Sequence, residues 1–138
     1  MAIANLQQYY ARIYDTLYSR RDCDVEELVL EEFELEHLVV IQGRIRFWDD
    51  STLHFTETLA MRGVVLARTR YAYQYQDGHE RLLFRYDNSP HHPQVTTFPN
   101  HKHIVDVRRG VERIQATIAP NLSDVLIEIH GVLYPRDE

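Results

Sequence analysis

The chain has 138 residues, 44% of them apolar and 26% charged, with a formal net charge of −6. That length fits one domain burying roughly two-thirds of its unfolded surface, and the composition excludes a disordered chain. No run of about 18 apolar residues exists, so no membrane-spanning helix is expected, and Met1–Tyr10 lacks the basic and apolar regions of a secretory leader.

Ile3, Leu6, Tyr10, Ile13 and Leu17 recur at three- and four-residue steps and predict a helix over about residues 2–18. From Val29 the period falls to two. Val29, Phe33, Leu35, Val39 and Ile41 then share one strand face, and Glu32, Glu34 and Glu36 the other. Gly43 permits a bend or bulge, Arg44–Trp48 continues as strand, and Asp49-Asp50-Ser51 is turn chemistry. Thr52–Met61 alternates with Leu53, Phe55, Leu59 and Met61 inward, and Gly63 punctuates it. Val64–Gln76 and His79–Tyr86 flank Asp77-Gly78, the signature of a two-residue hairpin loop. Asn88–Pro99 holds Pro90, Pro93 and Pro99 and no period, hence a loop. Residues 104–120 read as a strand plus a turn. Leu122, Val125, Leu126 and Ile129 predict a closing helix over about 122–130, started by Asn121 or Ser123 and stopped at Gly131. The expected fold is α+β in one domain, 1–138. A curved antiparallel β-meander (about 29–87) and a histidine-rich loop (88–103) lie between an N-terminal and a C-terminal helix.

Charge is unevenly spread. Asp15–Glu36 holds nine acids against Arg20 and Arg21, whereas Arg62–Arg113 holds nine bases against five acids. Net acidity alone argues against a nucleic-acid ligand, and the basic middle softens that argument. All the basic residues but Lys102 are arginine, the side chain that grips phosphate or carboxylate bidentately. Cys23 is the sole cysteine, so no internal disulfide forms, which fits a protein of the reducing cytoplasm with a passive thiol.

With Asp77-Gly78 as the whole loop, Arg70 opposes Arg85, Arg68 opposes Asp87 and Gln74 opposes Arg81. Like charges directly opposed are destabilising, so Arg70 and Arg85 suggest a polyanion or a carboxylate between them. Arg68, Arg70, Arg81 and Arg85 are therefore the candidate RNA- or anion-binding residues, with a solvated face of splayed arginines as the alternative. Tyr71, Tyr73, Tyr75, Leu82, Phe84 and Tyr86 lie on the other face and read as core.

His91, His92, His101 and His103 fall within thirteen residues, just after Asp87. Histidine titrates near neutrality and is the usual proton shuttle, so the cluster is a candidate site. His101-Lys102-His103 admits two geometries. On a strand the two histidines share a face and Lys102 points away; in a coil all three converge. No metal cofactor is expected; the alternative is a divalent ion on His101, His103 and Asp87, although no H-E-x-x-H motif or Cys pair supports it. Glu57 falls on an inward strand face between Phe55 and Leu59, where a carboxylate needs a cation or hydrogen-bond donors.

Several of these stretches resemble one family. Arg46-Phe-Trp-Asp-Asp-Ser-Thr-Leu-His-Phe-Thr-Glu57 is similar to the strand–turn–strand of the TumE toxins, with Asp50 in place of the usual turn glycine. Tyr71–Gly78 resembles their aromatic hairpin, and Arg85–Pro93 with Thr97–His103 resembles their two most recognisable motifs. The resemblance covers about residues 29–104 and the closing helix. Residues 104–120 depart from it, being longer and more basic. It implies a cytoplasmic toxin encoded beside a cognate antitoxin, with Asp87, His91, His92, His101, Lys102 and His103 at the matching positions.

The leading expectation is a metal-independent endoribonuclease, since cleavage of RNA by its own 2′-OH needs one base, one acid and one cation. Histidines supply the first two, and Lys102 or Arg85 the third. Asp87 and Glu57 complete the candidate catalytic set. The alternatives are a metal-dependent phosphodiesterase or nucleotide-modifying toxin, and a non-catalytic protein blocking a target through its arginine face. Expected partners are the antitoxin and RNA or a nucleotide, with a homodimer left open.

Overall fold

The computed structural model describes residues 2, 3 and 5–136. A short strand β1 (Ala2–Ile3) precedes helix α1 (Leu6–Tyr18). Seven strands follow: β2 (Cys23–Phe33), β3 (Leu38–Phe47), β4 (Thr52–Arg62), β5 (Val65–Gln76), β6 (Leu82–Asp87), β7 (His101–Asp106) and β8 (Val111–Ala116). Helix α2 (Leu122–Leu133) closes the chain. Strands β2 to β8 pair in sequence order as one antiparallel sheet, and β1 pairs with β5 at Ala67 and Leu66, beyond the end of β6. The fold is α+β, an open antiparallel sheet flanked by an N-terminal and a C-terminal helix.

The helix starts at Leu6 rather than near residue 2 because Asn5 caps it, its side chain accepting from the Gln8 N–H. Ile13 and Leu17, one turn apart, face the sheet and are buried. In α2, Asn121 and Asp124 form a reciprocal capping box, and Leu122, Val125, Leu126, Ile129 and Leu133 make the apolar stripe. Both helices pack on one face of the sheet, against Ile41, Ile45, Leu53, Phe55, Leu59, Tyr71, Tyr73, Tyr75 and Phe84. Leu59 and Ile129 are fully buried, so truncating either to Ala costs about 2–5 kcal/mol.

Three local readings are corrected. Residues 29–41 are not one strand. A turn over 34–37 reverses the chain, with His37 in the left-handed region (φ 55°) and its N–H on the Glu34 carbonyl. The sheet therefore begins earlier, at Cys23, and Val29, Phe33 and Leu35 are exposed while Val39 and Ile41 are core. Met61, expected inward, is also exposed at the strand end. Gly43 makes no bend. It lies in a continuous strand, where the Phe55 ring occupies the space a Cβ would need.

The β5–β6 connection is longer than two residues. Asp77 N–H bonds the Arg81 carbonyl, Asp77 Oδ1 accepts from the His79 and Arg81 N–H groups, and Glu80, not Gly78, takes the left-handed conformation. Arg85 consequently faces Gln74, four residues along β5 from the expected Arg70, and Asp87 faces Ala72. Arg81 does not face Gln74. It closes the turn on Asp77 at 2.9 Å.

The acidic segment Asp22–Glu36 forms the β2 edge and the following turn, while Arg108, Arg109 and Arg113 lie at the other edge, on the β7–β8 hairpin. The two charge clusters thus stand at opposite ends of the sheet.

Candidate active site

Strand alternation and register set the site. Across the face turned away from the helices, one rung reads Gln42, Thr56, Ala72, Asp87, His101 and Ala116. The next reads Arg44, His54, Gln74, Arg85, His103 and Ile114. Arg85 and Asp87 are two apart on β6, as are His101 and His103 on β7, so all four side chains project from this face. The loop over 88–100 crosses above them and brings in His92.

Asp87 is the hub. Its Oδ1 accepts from the Ser89 N–H at 2.9 Å and lies 3.0 Å from His101 Nε2; its Oδ2 accepts from Arg85 Nε at 2.9 Å. His103 Nε2 is 3.6 Å from the same Oδ2. Burial pushes the Asp87 carboxyl up, but the Ser89 N–H, the Arg85 guanidinium and His101 outweigh it and hold it below the usual carboxylate range. Asp87 is therefore an anion although only 4% exposed.

The histidines close round it. Ring centroids of His92, His101 and His103 are 4.8, 5.4 and 4.9 Å apart. His101, 2% exposed, directs Nδ1 at the Pro99 carbonyl at 2.9 Å, and His103 directs Nδ1 at Glu112 Oε1 at 2.6 Å. Arg85 also donates through Nη1 to Gln74 Oε1 at 2.7 Å. Arg70 joins from the margin, donating to Ser89 Oγ at 3.0 Å.

Besides Arg81, four expected site residues are placed elsewhere. Lys102 points to the helix face, as the strand geometry requires, donating to Glu128 of α2 at 2.7 Å over the Phe84 and Tyr86 rings. Arg68 leaves the arginine face because a bulge at Thr58/Leu59 leaves Thr69 out of the ladder. Arg68 thus shares the tyrosine face, stacking over Tyr71 and donating to the Tyr73 hydroxyl at 2.7 Å. Glu57 is fully buried on that helix-bearing face, accepting from the Tyr9 and Tyr73 hydroxyls. Burial and Glu57 together push both phenols up. His91 is exposed, its backbone N–H closing on the Ser89 carbonyl. The His cluster therefore faces neither Glu57 nor Arg68.

Two contributors escaped sequence reasoning. Glu112 falls in 104–120, a stretch whose sequence reads as a strand plus a turn without fixing which residues pair. The Asp106–Gly110 turn, with Gly110 at φ 64° and its N–H on the Asp106 carbonyl, is the signal that places Glu112 on a strand beside His103. Asn88 reads from sequence only as the start of a loop. Its side chain holds the Tyr71 N–H and the Thr69 carbonyl, taking over the ladder of β5 where β6 ends and fixing the start of the loop that carries His92.

Cys23 is half-buried, and burial with Asp22 pushes its thiol up, so it offers no nucleophile. Among the described residues, no helix is long and apolar enough to cross a membrane. A family model described as toxin TumE matches residues 14–133 of the chain. No curated protein and no solved structure matches it.

Proposed function

The chain belongs to the TumE toxin family, and from that membership we propose that it is a metal-independent endoribonuclease acting in the cytoplasm. Membership of a toxin family implies an antitoxin partner in general. The observation that carries the catalytic reading is the convergence of an ionised, buried Asp87 with Arg85, His92, His101 and His103 on an otherwise open polar face.

In this reading the 2′-OH of RNA attacks the adjacent phosphorus, a base takes the 2′ proton, an acid protonates the leaving 5′ oxygen, and a cation balances the charge on phosphorus. His103 and His92 are the two proton carriers, because both are partly exposed and adjacent. His101, buried between Pro99 and Asp87, is a positioning residue that fixes the hub. Arg85 is the cation, replacing Lys102, which the helix face occupies. The row Arg44, His54, Gln74, Arg85 and His103 supplies polar groups to the RNA backbone. The non-catalytic alternative loses support, since Arg68 and Arg81 do not join Arg70 and Arg85 on one surface.

The test is incubation of the purified chain with single-stranded RNA in the presence of EDTA. The expected products carry 2′,3′-cyclic phosphate ends, and chelation leaves cleavage intact or raises it. Cleavage that stops with EDTA and returns with magnesium or manganese overturns the metal-independent route, and intact RNA beside undiminished toxicity overturns ribonuclease action altogether.

A further inference from the structure

We propose that His92, His101 and His103 form a site for a divalent transition-metal cation, zinc foremost, and that filling it switches the toxin off. The switch rests on the ribonuclease reading; the site does not.

The three residues each present a ring nitrogen, and these atoms lie within 4.8 Å of one another. Around tetrahedral zinc, with bonds of about 2.0–2.1 Å, ligand nitrogens stand roughly 3.3 Å apart. The required contraction is at most about 1.5 Å, within reach of a rotation of His92 on its loop.

The orientation of the two strand histidines is the stronger argument. In metal centres the ring nitrogen that does not bind donates to a backbone carbonyl or a carboxylate, which fixes tautomer and ring plane. His101 has the Pro99 carbonyl at Nδ1 and His103 has the Glu112 carboxylate at Nδ1. Both Nε2 atoms are thereby aimed inward, at Asp87, with separations of 3.0 and 3.6 Å. Those are about the edge lengths of a zinc polyhedron. A cation entering here takes the place of the hydrogen bond between Asp87 and His101, with the Asp87 carboxylate as a fourth ligand.

His92 completes the set from the solvent side. It is half-buried, and its ring makes no hydrogen bond among the described residues, so it is both the entry path and the movable ligand. Three imidazoles and one carboxylate suit zinc, cobalt, nickel or copper, whereas magnesium and calcium take oxygen ligands. A metal on these nitrogens leaves no lone pair to carry a proton, so cleavage stops while it is bound.

The test uses the full chain stripped of metal, with Co²⁺ as spectroscopic probe and Zn²⁺ as competitor. The expected result is one Co²⁺ per chain with the visible band of a four- or five-coordinate ion, displaced by Zn²⁺. Glu112→Gln weakens binding roughly 10–100-fold, as loss of such an orienting carboxylate does elsewhere. His92→Ala, a loop change that leaves the circular-dichroism spectrum unchanged, abolishes the band. RNA cleavage falls in proportion to zinc occupancy. Absence of saturable uptake, or uptake unaffected by His92→Ala, overturns the site. Cleavage that rises with metal overturns the switch and makes the ion a cofactor. Should the metal-free chain cleave no RNA, the ribonuclease reading fails and takes the switch with it, while the cobalt spectrum still decides the site.

Discussion

Two carboxylates are buried in this sheet, Glu57 on the helix-bearing face and Asp87 on the open one, and their surroundings differ in kind. Glu57 is held by two phenols, Tyr9 from α1 and Tyr73 from β5, with Arg68 one hydroxyl away. Asp87 is held by a guanidinium, a backbone N–H and imidazoles, under a loop instead of a helix. Phenols titrate far above neutrality, so the first arrangement is a fixed tether between helix and sheet. Imidazoles are the usual proton carriers, and the second arrangement lies beneath a loop and not a helix. Burial of a carboxylate therefore does not mark a site by itself. What satisfies it does.

The largest expected effect is catalytic and confined to the open face. His103→Ala lowers RNA cleavage about 10²–10⁴-fold, the usual loss of a general acid or base. Glu57→Gln, in the same assay, leaves the rate of the folded fraction within about threefold, since Glu57 projects from the other face. A loss in Glu57→Gln matching that of His103→Ala would falsify the division of roles between the two carboxylates.

The next effect is on stability and runs the other way. Glu57→Ala leaves the Tyr73 hydroxyl, on a residue with no exposed surface, with Arg68 but without its acceptor, and leaves Tyr9 unpaired. Each buried group so stranded costs roughly 1–3 kcal/mol. His103→Ala, at the more accessible end of the cluster, costs less. Urea unfolding of both variants checks the order, and a smaller loss for Glu57→Ala contradicts it.

The same contrast explains what the sequence disclosed. Of the two geometries open to His101-Lys102-His103, alternation on a strand puts the histidines on one side and Lys102 on the other, and β7 takes that one. The inward position of Glu57 and its need for donors followed from Phe55 and Leu59. The failures that move site residues are places where the ladder breaks step at residues other than glycine or proline. The turn over 34–37 is built from Glu-Leu-Glu-His, with His37 taking the positive φ. The bulge beside Thr69 turns Arg68 over and splits the arginine set. The five-residue connection after Gln76 uses Glu80 where Gly78 was the obvious candidate. Each slip depends on long-range packing, which a single residue pattern does not record.

The helix face should also respond to alkali. Burial raises the Tyr71 phenol to about 12, and burial with Glu57 raises Tyr9 and Tyr73. Unfolded tyrosines lose their protons near pH 10, and the folded ones keep theirs. The unfolded chain then binds fewer protons, so stability is fully present below about pH 10 and falls as pH rises from there. Denaturant midpoints between pH 8 and 12 test this, and a decline that begins below pH 9 contradicts it. Tyr71→Phe removes one such group, flattening the decline while losing the bond to Asn100, worth about 1 kcal/mol at neutral pH.

A third surface, the acidic edge, lies apart from both of these sites. Glu32, Glu34 and Glu36 have no cationic partner among the described residues and stand at the end of the sheet remote from the basic β7–β8 hairpin. Were a basic segment of an antitoxin to dock there, these charges would steer it. Replacing all three with Gln slows association about three- to tenfold at low salt and hardly at high salt, because screening removes the attraction. An unchanged rate at low salt leaves the edge as solubilising surface.

The smallest effect is the sharpest for the comparison, because it concerns neighbours in one strand. Lys102 stands between His101 and His103, yet its ammonium lies 2.7 Å from Glu128 on α2, which also accepts from the Tyr86 hydroxyl. Lys102 therefore seats α2 on β7 and has no path through the sheet to the histidines. The ion pair is partly exposed, with side chains 13% and 32% accessible, so its net worth is about 1 kcal/mol or less. Lys102→Met keeps the stem over Phe84 and Tyr86 and removes only the charge. Cleavage by this variant stays within about twofold of the parent chain, and the urea midpoint falls slightly. A hundredfold loss of cleavage with the fold intact would put Lys102 back among the catalytic groups, and would mean that β7 does not present its side chains to alternate faces when RNA is bound.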